Sequence, residues 1–115
     1  MTLKKGLVDP FNAQIESEFT ASAQYIAIAA YFDDLGLKEL ANFFYNQSDE
    51  ERMHAMKFVR FMLETGVRPT IPSTPELRNS FESSADAVQF ALDQENKVTD
   101  QINHLVDLSI RDSDA

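Results

Sequence analysis

Apolar positions recur every three to four residues along three long stretches of this chain, and that spacing predicts three amphipathic helices. The first is expected over about 9–35. It opens on Asp9-Pro10, an N-cap acceptor followed by a proline suited to the first helical position, and stops at Leu35-Gly36. The second covers about 37–65 and ends at Gly66. The third covers about 84–111 and starts on Ser83 and Asp86, a capping-box-like pair with Asp in place of the usual Glu. Between the second and third lies GVRPTIPSTPELRNSFES, whose prolines at 69, 72 and 75 exclude a continuous helix.

That connector, residues 66–83, is long for a compact domain, and its length has a use. The second helix is roughly 40 Å long at about 1.5 Å per residue. An extended connector of this length reaches about 60 Å. It can return along the whole bundle, so the second and third helices are expected to run parallel. The tight turn at Gly36 makes the first and second antiparallel neighbours.

Stepping by four and three along the first helix gives Phe11, Ile15, Glu18, Ser22, Tyr25, Ala29 and Phe32. The second gives Leu40, Phe44, Gln47, Glu51, His54, Phe58 and Phe61, and the third Val88, Ala91, Glu95, Val98, Ile102 and Leu105. Each helix thus sets one carboxylate in the middle of an apolar seam. Glu18 lies 18 residues before Gly36, His54 lies 18 after it and Glu51 lies 15 after it. In an antiparallel hairpin, equal distance from the turn means equal height, so these three are expected to face one another. Glu95 cannot be placed by that count, but it sits about midway along its helix.

A single Glu on an apolar stripe is commonly a rim residue whose carboxylate reaches water. Several carboxylates gathered in a core are another matter: they must be neutralised by a cation or hold protons. The net charge of −9 is consistent with a cation, because an acidic surface concentrates and steers positive ions. It also argues against nucleic acid, since no basic stripe is available to meet phosphates. The chain has no Cys, which excludes disulfides, thiolate metal sites and a Cys nucleophile, and is compatible with a cytosolic location. No apolar run is long enough to span a bilayer, and the start MTLKKGLVDPF has no secretory apolar segment, so no membrane association is expected. Carboxylates with one imidazole suit iron(II), manganese(II) or zinc. Glu51 and His54, at i and i+3, share a helix face and can approach one metal, with Glu51 free to bridge to a second. Paired-metal carboxylate bundles combine single glutamates from two helices with Glu-x-x-His from the other two. Here EERMH holds one Glu-x-x-His, and the second such helix is absent.

The stretches NAQIESEFTASAQYIAIAAYFDDLGL, LANFFYNQSDEERMHAMKFV and ALDQENKVTDQINHL resemble the bacterial non-haem ferritins of the ferritin-like di-iron family. The resemblance extends over nearly all of the chain, in the order of that family's first three helices. It implies an all-α, ferritin-like four-helix bundle with a long crossover between helices two and three. Only the first three helices are expected here, because the family continues into a fourth after LVDLSIRDSDA and this sequence stops in what reads as the turn before it. The resemblance further implies that Glu18, Glu51, His54 and Glu95 are ferroxidase-centre ligands, with Glu51 bridging. Tyr25 becomes the tyrosine beside the site, a hydrogen-bonding and electron-donating group, and Glu50 part of an accessory iron site.

Also implied are Fe(II) and dioxygen as substrates, two irons per subunit, a homo-oligomeric shell of 24 subunits around ferric mineral, and a cytoplasmic location. Bacterioferritins hold haem through a methionine directly after the bridging Glu. Arg52 stands there in this chain and Met53 one later, so no haem is expected. A rubrerythrin-like peroxidase would bring cysteine-ligated iron. His104 lies off the apolar seam of the third helix and is expected at the surface. The rival reading is a non-catalytic helical scaffold or fragment with an incomplete metal site, in which Tyr25 is a core filler and Glu50 a solvated charge.

Overall fold

The computed structural model describes residues 3–114, with side chains described as far as 111. Three α-helices carry the fold: α1 (Lys5–Asp34), α2 (Lys38–Glu64) and α3 (Ser84–Asp114). The start of α1 differs from the expected Asp9-Pro10 cap. The helix begins one turn earlier and Pro10 lies inside it. Proline there removes one backbone donor and crowds the preceding turn, but Leu3 and Leu7 are buried against Met62 and Leu105. Burying each such side chain contributes roughly 1.5–3 kcal/mol, enough to hold the extra turn.

Both interhelical stops follow one pattern. At the end of α1, Leu37 N–H donates to the Phe32 carbonyl and Gly36 N–H to the Asp33 carbonyl. At the end of α2, Val67 and Gly66 do the same to Met62 and Leu63. These are Schellman caps, which need a left-handed residue, and the two glycines take it with φ of 78° and 87°. A Cβ added at Gly36 meets no heavy atom within 4 Å. Gly36→Ala is therefore expected to lower stability by about 1–2 kcal/mol through backbone strain alone, read as a shifted urea midpoint with an unchanged slope. At the start of α3, Ser83 Oγ accepts the Asp86 N–H as expected, while the Asp86 carboxylate reaches back to the N–H of Glu82.

The connector is pinned to α1 at two heights. Thr70 N–H donates to Asn12 Oδ1, and the main chain of Arg78 makes two hydrogen bonds to the Gln24 side chain. The chain therefore climbs beside α1 in the same direction, and α3 then descends antiparallel to α1 and parallel to α2. Arg78 closes the top, paired with Asp86 and lying over the rings of Phe81 and Phe90.

The helix α1 packs against both others, whereas no Cα of α2 lies within 8 Å of a Cα of α3 among the described residues. This changes which faces are buried. All seven predicted seam positions of α1 are buried. On α2 the buried line is Ala41, Phe44, Ser48, Glu51, Ala55, Val59 and Met62, so Leu40 and His54 of the expected seam are exposed. Val88 is likewise exposed on α3, where Ala87 is buried instead. The cause is that α2 and α3 turn their buried lines towards α1. Leu40, Phe43, Leu92, Val106 and Ile110 consequently remain exposed.

The interior has two apolar clusters. One gathers Tyr25, Ile28, Ala29, Phe32, Ala41, Phe44, Ala87 and Ala91 near the Gly36 turn, and the other Leu3, Leu7, Phe11, Ile15, Val59, Met62 and Leu105 at the far end. Between them lies a polar layer. Ser22 and Ser48 fix α1 to α2 there, each hydroxyl donating to the other's backbone carbonyl at 2.7–2.8 Å.

Candidate metal centre

The polar layer contains Glu18 from α1 and Glu51 and His54 from α2, with one ligand atom from each lying within 4.8 Å of the others. Glu18 is fully buried and Glu51 is 3% exposed. His54 stands at the edge, its side chain 46% exposed, with Nδ1 at 3.8 Å from Glu18 Oε2 and 3.7 Å from Glu51 Oε2. These separations are too long for hydrogen bonds. They match the roughly 3–4 Å between two ligands that each stand about 2.1 Å from a shared metal.

Two observations mark the cluster as chemically incomplete. Oε2 of Glu18 and Oε2 of Glu51 are buried and have no hydrogen-bond partner. Burial, reinforced by the Glu51 carboxylate alongside, pushes the Glu18 carboxyl up from its ordinary 4.5 to about 9. A buried acceptor without a donor costs about 1–3 kcal/mol, and more when charged. A cation placed among these oxygens removes both penalties, and hard carboxylate oxygens with one imidazole form a donor set suited to iron, manganese or zinc. The fit rests on the orphaned oxygens themselves.

Glu95 is half-buried on α3 and lies one step outside this trio. It accepts a 2.6 Å hydrogen bond from Tyr25 Oη, and its charge is felt at Glu18. Tyr25 is buried and stacks on Phe44. Burial and the Glu95 carboxylate hold its phenol above the usual range, so it stays protonated and donates. Glu50, one turn before His54 on the exposed side of α2, is not part of the cluster. His104 is exposed as expected, although it lines a cavity of about 840 Å³ between α1 and α3. One contributor escaped the sequence reading. Gln14, 3% exposed, donates its side-chain amide to Glu18 Oε1 at 3.0 Å. Its signal was its spacing, four residues before Glu18 on the same helix face.

Residues 8–115 match the family model for the ferritin-like domain. Ferritin BfrB of Mycobacterium tuberculosis (strain CDC 1551 / Oshkosh) is 46% identical over 109 residues, covering 91% of this chain and 60% of that protein. A bacterial non-heme ferritin of Staphylococcus saprophyticus is 34% identical over 112 residues, covering 97% of this chain and 67% of its own length. The chain thus spans about 60% of the mycobacterial relatives it matches. Among solved structures, an open pore ferritin from the hyperthermophilic archaeon Archaeoglobus fulgidus superposes with a TM-score of 0.91 at 32% identity, over 97% of this chain and 68% of that one. With three helices in ferritin order, a carboxylate-rich polar layer at mid-height and a family match over nearly its whole length, the chain belongs to the ferritin-like domain family.

Proposed function

We propose that this chain is an iron-storage subunit that oxidises Fe(II) with dioxygen at the Glu18–Glu51–His54 cluster and passes the ferric product to a mineral store. The observation that carries the reading is the pair of buried, unpartnered carboxylate oxygens beside an imidazole. Iron is the substrate. Glu18 and Glu51 supply hard anionic oxygens, which stabilise the ferric more than the ferrous state, and His54 supplies a neutral nitrogen at the solvent edge. Glu51 is assigned as the bridge between two irons, with Glu95 as a ligand of the second. Two Fe(II) ions held together deliver two electrons to one dioxygen, which takes up two protons as hydrogen peroxide and releases no one-electron radical. Tyr25 orients Glu95 by its hydrogen bond and is the nearest phenol able to donate a further electron. Glu50 is assigned to an accessory site on the outer face of α2.

The net charge of −9 concentrates Fe(II) near the chain, and the exposed apolar side chains of α2 and α3 are suited to burial in an assembly. A homo-oligomeric shell, of 24 subunits by family, in the cytoplasm completes the reading. No helix among the described residues is long and apolar enough to cross a membrane. Anaerobic Fe(II) titration followed by exposure to dioxygen tests the proposal. Saturable Fe(II) binding is expected, with oxidation faster than in buffer and peroxide formed at one per two irons. Oxidation at the buffer rate would favour the scaffold reading, in which the glutamates only organise the layer.

A further inference from the structure

We infer that Gln14 is a positioning residue for the metal site: its amide fixes Glu18 so that Oε2, and not Oε1, faces the cluster. The inference rests on the metal-site reading above and adds a residue to it. A carboxylate carries two equivalent oxygens on a rotatable stem, and a ligand that can present either one, or swing between rotamers, binds a metal weakly. Something must break that symmetry. Here Oε1 of Glu18 takes the 3.0 Å hydrogen bond from Gln14 Nε2, while Oε2 has no partner and stands nearest His54 Nδ1. A metal-bound carboxylate only accepts, so the amide must turn its nitrogen towards it.

The scaffold behind this bond is rigid. Gln14 and Glu18 lie four residues apart on α1, and Ile15, fully buried, locks the same turn against the far cluster. Gln14 is itself 3% exposed, so its amide is largely shielded from water that would compete for the bond. It also lines the cavity between α1 and α3, which places it between that space and Glu18. Partners that orient a metal ligand in this way are typically worth 10–100-fold in metal affinity or activity.

The test replaces the donor without changing the side chain's bulk. Gln14→Met and Gln14→Leu are compared with the unaltered chain by Co(II) titration, following the visible absorption of the bound ion, with helicity and thermal melting recorded metal-free. The expected result is a Co(II) affinity lowered roughly 10–100-fold in both variants, with an altered band shape, at unchanged helix content. An unchanged affinity and spectrum in a folded variant would overturn the inference. So would a loss that merely tracks the fraction unfolded, since a purely structural glutamine would lower stability and leave binding by each folded molecule intact. Failure of the unaltered chain to bind Co(II) would instead remove the metal-site reading itself, and the positioning role with it.

Discussion

Replacing Glu51 with alanine is expected to lower dioxygen-dependent Fe(II) oxidation by at least about 100-fold, to the rate seen in buffer. Losing an orienting partner of a metal ligand already costs 10–100-fold, and Glu51 is proposed as the ligand both irons share. A loss of about 100-fold corresponds to about 2.7 kcal/mol of transition-state stabilisation. The substitution also removes one of the two buried oxygens that lack a partner, so the variant should stay folded and its defect should be one of chemistry. Glu64→Ala, an exposed carboxylate near the end of the same helix, serves as the control and should oxidise iron at the unaltered rate. Oxygen consumption after Fe(II) addition measures both. Equal rates for Glu51→Ala and the unaltered chain would place oxidation elsewhere.

The level of Glu51 in the bundle is information that a linear sequence carries. The antiparallel pairing of α1 and α2 follows from one glycine, so counting residues from Gly36 sets relative height, and the chain does bring Glu18, Glu51 and His54 to one level. Height along a helix is local information. Rotation about the helix axis is not, because it depends on which neighbours exist. The i+3/i+4 seam through Leu40 and His54 carries no information on which neighbours cover it, and α2 is turned towards α1, leaving both exposed.

The same distinction explains Glu95. No turn of known geometry joins α3 to the hairpin, so its level could only be bounded. The connector's attachment by Asn12 and Gln24, two polar residues of α1 with no prior signal, sets it beside Tyr25. The early start of α1 was hidden for a further reason. Asp9-Pro10 has the local chemistry of a helix start, and tertiary burial of Leu3 and Leu7 overrides it.

Glu18→Gln is expected to make the metal-free protein more stable and to remove most of the stabilisation that metal confers. Metal-free, the unaltered chain carries a carboxyl held near pKa 9, mainly by burial and next by Glu51. Below about pH 4.5 both folded and unfolded states hold the proton, and the site costs nothing. As pH rises from about 4.5 towards 9, the unfolded chain ionises while the folded one does not, so stability falls by up to about 1.4 kcal/mol per unit and levels off above 9. Glutamine is neutral throughout and keeps a carbonyl oxygen to accept the Gln14 amide. The metal-free variant should therefore match the unaltered chain near pH 4, exceed it by about 1–3 kcal/mol at pH 7, and exceed it further at pH 9.

With Co(II) at a hundred times its dissociation constant, the unaltered chain gains about 2.7 kcal/mol. The variant, short of one anionic ligand, gains little. The comparison needs only thermal melts of two proteins at three pH values, with and without metal. A metal-free advantage for Glu18→Gln that did not grow with pH would mean that Glu18 is ionised in the fold and paired with a positive charge, and the cluster would lose its main claim to bind a cation.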